Sequence, residues 1–260
     1  MQVFGNYASY YDLLYRDKDY VGEANHVHTL IQRYMPEAET ILELGCGTGI
    51  HASLLADKGY QICGVDRSKE MLESAQQRLL TLSQEQASKL QFVLGDMQTV
   101  RLDKKFDVVI SLFHVVSYQT TNQALQAAFA TAKEHLKPGG IFLFDCWYGP
   151  AVLSDRPMVR VKRLEDEKIM VTRIAEPVLQ PNQNTVDVKY QVLIRDRTTD
   201  AVEELREVHA MRYLFKPEVD WLFSQHEFDS IATGEWMTDR EPGCNTWNVY
   251  FIGRYQTRSA

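Results

Sequence analysis

The chain has 260 residues, 45% of them hydrophobic and 24% charged, which is the composition of an ordinary globular protein. Its formal net charge of −7 disfavours nucleic acid as the main partner, because proteins that bind phosphate backbones usually carry a basic excess. No apolar run approaches the roughly 18 residues that span a bilayer, and the N-terminus lacks the basic start and apolar run of a signal peptide.

The four cysteines, Cys46, Cys63, Cys146 and Cys244, lie far apart and form no CxxC pair. This spacing is not that of a zinc or redox motif, so no metal is expected. Together with the composition, it predicts a soluble cytoplasmic protein of a reducing compartment that has no membrane partner.

The first predicted element is helical and lies within residues 10–35, where Ala24, Val27 and Ile31 keep one face apolar. From residue 41 onward, short apolar runs alternate with amphipathic segments. One segment follows Ser68, a good N-cap, and another ends at the Lys-Pro-Gly-Gly run 137–140. Such alternation predicts an α/β fold with a doubly wound, mostly parallel sheet. The strands are expected at 41–44, 61–65, 90–94, 106–111 and 141–145.

After about residue 150 the periodicity changes to two. Val186, Val188, Tyr190 and Val192 alternate with polar residues, and the runs 168–174 and 206–215 are similar, so an inserted antiparallel sheet is predicted. Lys216-Pro217 then opens a last helix, and 246–255 reads as a closing strand. The predicted division is a core with an N-terminal helical segment (1–150), an insert (151–215) and a final helix and strands that complete the core sheet (216–260).

Three glycines fall within five positions of ILELGCGTGI (41–50), directly after the first predicted strand. A glycine turn from a strand into a helix presents free N–H groups where open α/β sheets bind ligands. Asp66 ends the next strand roughly 20 residues further on, where a carboxylate can accept from ribose hydroxyls. Asp96 follows the third strand, close to where an adenine would lie. The pattern therefore predicts a nucleoside ligand.

The spacing is GxGxG preceded by Glu43, not the GxGxxG of dinucleotide sites. Glu-x-Gly-x-Gly-x-Gly closely resembles the first motif of class I S-adenosylmethionine (SAM) dependent methyltransferases. The runs 65–72 and 94–98 resemble the next two motifs of that family, and 136–145 resembles its fifth strand. The resemblance covers about residues 40–146. It implies a Rossmann-like seven-stranded sheet, SAM as the cofactor and S-adenosylhomocysteine as its product.

A narrower resemblance extends beyond this core. The segments 10–24 and 111–121 and the inserted sheet look like the nucleotide-sugar N,N-dimethyltransferases of antibiotic amino-sugar biosynthesis. This implies a small-molecule acceptor, the amine of a nucleotide-linked amino sugar, and a homodimer. The stretch 234–254 departs from that group in being richer in aromatics, and it lies in the part expected to contact the acceptor.

The resemblance also implies roles for individual residues. Asp66 would hold the ribose hydroxyls, Asp96 and Met97 would flank adenine, and Tyr11 would lie near the methionine carboxylate of SAM. Helix packing is the alternative for Tyr11, and capping of a turn is the alternative for Asp96. The residues expected to bind the cofactor are Tyr11, Tyr20, Glu43, Gly45, Cys46, Gly47, Gly49, Asp66, Arg67, Met71, Gly95, Asp96, Met97 and Leu112.

Two polar residues after the fourth strand, His114 and Tyr118, are the candidates at the point of methyl transfer. Trp147 and Tyr148, just past the fifth strand, could form walls of the acceptor pocket. Arg160 belongs to a basic stretch that suits a diphosphate, although charges on an edge strand also prevent aggregation.

Catalysis is expected to come mostly from proximity, with no obligatory base. Two alternatives stay open: an O-methyltransferase on a small hydroxylated metabolite, which would need a real base, and a SAM-binding protein without chemistry. A nucleic-acid methyltransferase is less favoured, because SLFHVVSY (111–118) stands where an Asn/Asp-Pro-Pro-Tyr sequence would be expected.

Overall fold

The computed structural model describes residues 13–256. No helix among the described residues is long and apolar enough to cross a membrane. Helices alternate with strands in the first half of the chain. The elements in chain order are α1 (Tyr20–Tyr34), β1 (Thr40–Leu44), α2 (Ile50–Ala56), β2 (Gln61–Asp66), α3 (Lys69–Leu79), α4 (Gln84–Ser88), β3 (Leu90–Leu94), β4 (Phe106–Ser111), a 3₁₀ turn (Val115–Tyr118), α5 (Asn122–His135) and β5 (Leu136–Tyr148).

These five strands form a parallel sheet in the order β3-β2-β1-β4-β5. All six residues of β4 are buried, so the strand has no solvent face. Because side chains alternate along a strand, its neighbours contribute to two cores, one on each face. Val109, Phe142 and Phe144 lie in one core, and Val108, Ile110 and Leu143 lie in the other.

The insert follows α6 (Gly149–Ser154) and is an antiparallel meander of β6 (Arg160–Glu165), β7 (Ile169–Gln180), β8 (Thr185–Asp196) and β9 (Val202–Leu214). It joins the core sheet through two residue pairs, Trp147 with Tyr213 and Tyr148 with Leu214. Val171 and Val192 of the insert are buried against Met71 of α3, so the insert packs over the carboxyl end of the parallel sheet.

The chain closes with α7 (Lys216–Gln225), β10 (Phe228–Glu235) and β11 (Asn248–Tyr255). Pro217 occupies the first turn of α7, where a missing N–H costs nothing. Strand β11 lies antiparallel between β5 and β10 and completes seven strands in the order β3-β2-β1-β4-β5-β11-β10. The predicted fold, a doubly wound and mostly parallel sheet with an inserted antiparallel sheet, is confirmed.

The Lys-Pro-Gly-Gly run has a different place from the one predicted. Helix α5 does end before it, at His135, but the run lies inside β5 rather than before it. Leu136 pairs with Phe106 and Ile141 with Val108, so residues 137–140 form a bulge between two paired positions. A side chain on Gly140 would place its Cβ 2.7 Å from the carbonyl oxygen of Asp107, which explains the glycine.

Asp107 ties three strands together at the amino end of the sheet. Its carboxylate accepts hydrogen bonds from Thr40 Oγ1 (2.6 Å), Thr40 N (2.9 Å) and Glu39 N (3.2 Å), and Lys137 Nζ lies at 2.7 Å. Burial acts to raise the pKa of Asp107, but the bonds from Lys137 and Thr40 outweigh it and hold the pKa below its ordinary value. The ionised form therefore stabilises the folded state.

Replacing this carboxylate should destabilise the protein in a pH-dependent way. Asp107→Asn is expected to lower the free energy of unfolding at about pH 7 by about 1–3 kcal/mol, since buried bonds to a charged acceptor are lost. The difference should shrink below about pH 3, because the folded-state pKa is depressed and the wild type loses the same contribution on protonation. Urea unfolding of both proteins at the two pH values measures it.

Asp103→Asn is the matched control, because Asp103 is exposed on the loop before β4. It should change the free energy of unfolding by less than about 0.5 kcal/mol at either pH. An equal loss for Asp107→Asn at both pH values would mean that shape, not charge, explains the effect.

Candidate active site

The glycine turn after β1 has a left-handed backbone at all three glycines, with φ of 82° at Gly45, 54° at Gly47 and 74° at Gly49. The N–H groups of Gly45 and Cys46 both donate to the Val65 carbonyl, at 2.7 and 3.0 Å, which fixes the turn against β2. A Cβ on Gly45 would lie 2.4 Å from Val115, whereas a Cβ on Gly47 would meet nothing within 4 Å. Gly47 therefore borders open space, and a side chain there would project into it.

That open space is a cavity of about 610 Å³ at the carboxyl ends of the parallel strands, with β9 of the insert forming part of its wall. The fold brings most of the predicted site residues to it, although they come from the carboxyl ends of five parallel strands, two helices, the 3₁₀ turn and the start of β6. Those lining it are Tyr20, Gly45, Cys46, Gly47, Asp66, Arg67, Met71, Gly95, Asp96, Met97, Leu112, His114, Tyr118, Trp147 and Arg160.

Three of the predicted residues that the structure describes are not part of this lining. Glu43 lies in β1 behind the glycine turn, and Gly49 is the N-cap of α2. Tyr148 packs in the hydrophobic core, because alternation along β5 turns it away from the face that Trp147 presents. Tyr11 lies outside the described residues.

Asp66 links the glycine turn to helix α3. One carboxylate oxygen accepts the Gly47 N–H and the other accepts the Ser68 N–H, both at 2.8 Å. Burial raises the pKa of Asp66 even though these backbone bonds favour the ionised form. A carboxylate has about four acceptor sites, so acceptor capacity remains for hydroxyl donors in the cavity that Asp66 lines.

Glu43 is the second buried carboxyl group of this region. It is 1% exposed, and its Oε2 has no hydrogen-bond partner among the described residues. Burial, reinforced by the neighbouring charge of Asp66, raises the pKa of Glu43 to about 8. A cation bound nearby would stabilise the ionised form and lower this pKa.

Asp96 shapes the turn that follows β3. Its Oδ1 accepts the Gln98 N–H at 2.8 Å, and its carbonyl accepts those of Thr99 and Val100. The turn-capping alternative from the sequence is therefore present, yet Asp96 also lines the cavity. Met97 beside it is buried, and its sulfur accepts from the Gln119 side chain at 3.0 Å.

Two consecutive non-glycine residues after β4, Phe113 and His114, have a left-handed backbone with φ of 62° and 61°. This conformation costs about 1–2 kcal/mol per residue and is typical of functional sites. Buried Asp145 holds it in place: both carboxylate oxygens accept the His114 N–H at 3.2 Å, and Nδ1 lies 2.7 Å from Oδ2. The sequence analysis did not assign a role to Asp145. The signal that could have identified it is its position, since it is an acidic residue at the end of a predicted buried strand.

Tyr118 contacts a residue of the insert that the sequence analysis also missed. Its hydroxyl lies 2.8 Å from Nδ1 of His209, and Nε2 of that histidine lies 3.1 Å from a carboxylate oxygen of Glu207. Both partners are on β9, and His209 lines the cavity together with Tyr190 of β8. Burial raises the pKa of Tyr118 well above its ordinary range, so its phenol stays protonated.

The N-terminal side of the cavity is fixed by Glu23 of α1. Its carboxylate accepts from His51 Nε2 at 2.8 Å and from Trp236 Nε1 at 3.2 Å, and it pairs with Lys18. Burial opposes ionisation, but the contacts with His51 and Lys18 outweigh it and hold the pKa of Glu23 at about 2. The ring of Tyr20 packs at 5.0 Å from that of His51, so this ionic cluster positions Tyr20 at the cavity.

Comparison with known proteins agrees with this geometry. Residues 41–140 match a family described as methyltransferase domain. The chain is 30% identical to the dTDP-3-amino-3,4,6-trideoxy-alpha-D-glucopyranose N,N-dimethyltransferase of Streptomyces venezuelae, over 88% of each protein. It is 28% identical to the dTDP-3-amino-3,6-dideoxy-alpha-D-glucopyranose N,N-dimethyltransferase of Streptomyces fradiae, over 77% of this chain and 76% of that protein.

Two solved structures share the whole architecture. Streptomyces venezuelae DesVI superposes with a TM-score of 0.77 at 27% identity, covering 95% of this chain and 97% of that one. SAM-bound CalS10, an amino pentose methyltransferase from Micromonospora echinaspora involved in calicheamicin biosynthesis, gives 0.74 at 25% identity, with 96% of each chain covered. These likenesses confirm the resemblance drawn from the motifs.

The orphaned carboxyl of Glu43 gives a prediction about stability. Between pH 4.5 and about 8 the unfolded chain releases the Glu43 proton while the folded chain keeps it, so the free energy of unfolding falls as pH rises. Glu43→Gln lacks this proton, and its stability relative to the wild type is expected to increase across that interval. Chemical denaturation at several pH values measures both curves.

Glu39→Gln, an exposed change just before the same strand, is the control and should run parallel to the wild type. Parallel curves for Glu43→Gln as well would show that Glu43 is ionised in the folded protein, against this interpretation.

Proposed function

This chain belongs to the class I SAM-dependent methyltransferases, and we propose that it transfers methyl groups to the amine of a nucleotide-linked amino sugar. The main support is the composition of the cavity: one side is built from the strand ends of the methyltransferase domain, and the other from the insert. The relatives named above are N,N-dimethyltransferases of dTDP-linked amino sugars, and the likeness runs through the insert as well as the core. We therefore propose two successive methylations of one nitrogen.

The residues of the first side fit SAM. Gly47 borders open space, Asp66 keeps acceptor sites for ribose hydroxyls, and the partnerless carboxyl of Glu43 favours a positively charged ligand. Asp96 and Met97 would flank adenine, and Tyr20 would face the methionine end. Bound there, SAM supplies a methyl group that its sulfonium charge already activates.

The contribution of the protein is then alignment and exclusion of water. Holding an amine in line with an activated methyl group can supply about 7–11 kcal/mol. Leu112 and Phe113 form an apolar wall at the end of β4, and His114 is fixed by Asp145. We propose that His114 and Tyr118 orient the attacking amine, and that the first methyl transfer needs no obligatory base.

Two of the predicted residues, the cation Arg160 and the large aromatic Trp147, lie on the side of the cavity that we propose for the acceptor. Arg160 opens β6 at the cavity and would pair with the diphosphate, since a guanidinium fork matches phosphate oxygens. Trp147 would pack against the sugar or the base. Tyr148 is not assigned a role, because its ring is part of the core.

The homodimer and the cytoplasmic location expected from the sequence stay predictions. Light scattering coupled to size-exclusion chromatography measures the first of them.

Binding of SAM is the first test, measured by calorimetry on the purified chain. Asp66→Ala is expected to weaken binding about 10–100-fold, the loss of bonds to a charged acceptor. Gly47→Ala should weaken it by at least about tenfold, because the new methyl group would occupy the cavity.

Gly59→Ala is the matched control for the glycine change. Gly59 also has a left-handed φ, 103°, and open space around it, but it lies at the other end of the sheet, before β2. Gly59→Ala likewise places an alanine in the left-handed region, and it should bind SAM like the wild type. Equal weakening by both changes would attribute the loss to strain and remove Gly47 from the site.

The acceptor is tested by incubating the protein with SAM and dTDP-3-amino-3,4,6-trideoxyglucose and detecting methylated sugar by mass spectrometry. Arg160→Met is expected to raise KM for the sugar about tenfold with kcat little changed, since the phosphates are bound equally in the ground state and in the transition state. Arg156→Met, in the same basic stretch but outside the cavity, should leave KM unchanged. Wild-type protein that binds SAM but methylates only hydroxyl acceptors would favour the O-methyltransferase alternative.

A further inference from the structure

Three polar side chains form a continuous line from the acceptor side of the cavity into the insert. Tyr118 stands on the 3₁₀ turn after β4, and its hydroxyl is 2.8 Å from Nδ1 of His209 on β9. Nε2 of His209 is 3.1 Å from the carboxylate of Glu207 on the same strand. The line therefore joins the two sheets that enclose the cavity.

The chemistry of the groups gives this line one direction when the imidazole is neutral. An ionised carboxylate only accepts hydrogen bonds, so the nitrogen that faces Glu207 carries the ring proton. In that tautomer Nδ1 is an acceptor, and the Tyr118 hydroxyl donates to it. The basic nitrogen of His209 then faces a phenol in the cavity wall.

The surroundings keep this arrangement apart from bulk water. His209 is 2% exposed, and the ring of Tyr190 packs edge-on against it at 4.9 Å. Among the described residues, Arg173 of β7 also lies close by, with its guanidinium over Tyr190 at 4.9 Å and over Tyr15 at 5.7 Å. Burial raises the pKa of the Tyr118 phenol well above its ordinary range, so the phenol stays protonated. Tyr15, Tyr190 and Glu207 also raise this pKa, and Arg173 acts to lower it.

We propose that His209, held by Glu207, accepts through Tyr118 the proton that the sugar nitrogen must lose between the two methyl transfers. After the first transfer the nitrogen is a monomethylammonium and has no lone pair for a second attack. One N–H bond breaks with its electron pair left on nitrogen, the proton joins the Tyr118 oxygen, and the phenol proton moves to Nδ1. The imidazolium so formed keeps its Nε2–H bond to Glu207. His209 and Glu207 are positioning residues that act through Tyr118.

This inference rests on the proposed function, and its consequence is specific to the second transfer. The first methylation needs only a neutral amine to enter the cavity. The second needs a proton removed on site, a step worth roughly 10²–10⁴-fold when a positioned group performs it. Loss of the proton acceptor should therefore change the ratio of products and not only the overall rate.

The test uses His209→Asn, whose amide oxygen can still accept the Tyr118 hydrogen bond but cannot take up a proton. With excess SAM and the dTDP-linked amino sugar, the wild type should release dimethylated sugar. In the variant the second methyl transfer should slow at least about 100-fold more than the first, so that monomethylated sugar accumulates. Raising the pH should restore dimethylation in the variant, because the monomethylammonium then loses its proton to solvent.

Glu207→Gln should shift the product ratio in the same direction but less, and Glu203→Gln, exposed on the same strand, should not shift it. Tyr118→Phe keeps the ring and removes the hydroxyl. It should slow both transfers, the second more than the first, even where His209→Asn is too unstable to assay. Dimethylated product at the wild-type ratio in both variants, or an equal loss of both methylations, would overturn the proposal.

Nitrogen-15 NMR of the histidine rings provides a readout without any acceptor. The ring assigned to His209 by its absence from His209→Asn should carry its proton on Nε2. A proton on Nδ1 would overturn the relay whatever the substrate is. Wild-type protein with the Nε2 tautomer but no methylation of amino sugars would instead contradict the proposed function.

Discussion

Acidic side chains that accept backbone N–H groups set the shape of the cavity. In a parallel sheet the loops that follow the strands all lie at one edge, and the amides of each loop must find hydrogen-bond partners. Asp66 at the end of β2 holds the Gly47 and Ser68 amides, Asp96 after β3 holds that of Gln98, and Asp145 in β5 holds that of His114. The glycine turn, the turn after β3 and the strained turn at Phe113-His114 therefore depend on the same type of bond.

The same carboxyl groups give the site its electrostatic preference. Glu43 is buried and Asp66 is partly buried, and the charge of Asp66 raises the pKa of Glu43. Ionising Glu43 beside Asp66 without a cation is costly, since burial penalises charge and like charges repel. A cationic ligand such as SAM would relieve that cost, so the preference for it is built into the fold before any contact with the ligand is considered. Neutralising Glu43 should favour folding and disfavour the ligand.

The insert supplies what the methyltransferase domain alone lacks. It meets the core sheet at only two residue pairs, yet Tyr190 and His209 reach the cavity from it. Val171 and Val192 are buried against Met71 of α3, which fixes the insert over the strand ends. The parallel sheet thus forms the side of the cavity that we propose for the cofactor, and the antiparallel sheet forms the side that we propose for the acceptor. The proposed proton transfer through Tyr118 to His209 falls at the boundary of the two.

The sequence by itself determined the parallel strands, the glycine turn and the methyltransferase family, because buried strands are continuous apolar runs and the Glu43–Gly49 motif is local. Period two also predicted the insert. The sequence could not show that Trp147 lines the cavity while Tyr148 packs in the core. Alternation along a strand puts neighbouring side chains on opposite faces, but it does not say which face a ligand contacts. The start of β5 at Leu136 depended on pairing with Phe106 across the bulge. The contacts of Asp145 with His114 and of His209 with Tyr118 join residues that are far apart in the chain. Only the packed tertiary structure decides such contacts, so the sequence alone could not identify Asp145 and His209 as site residues.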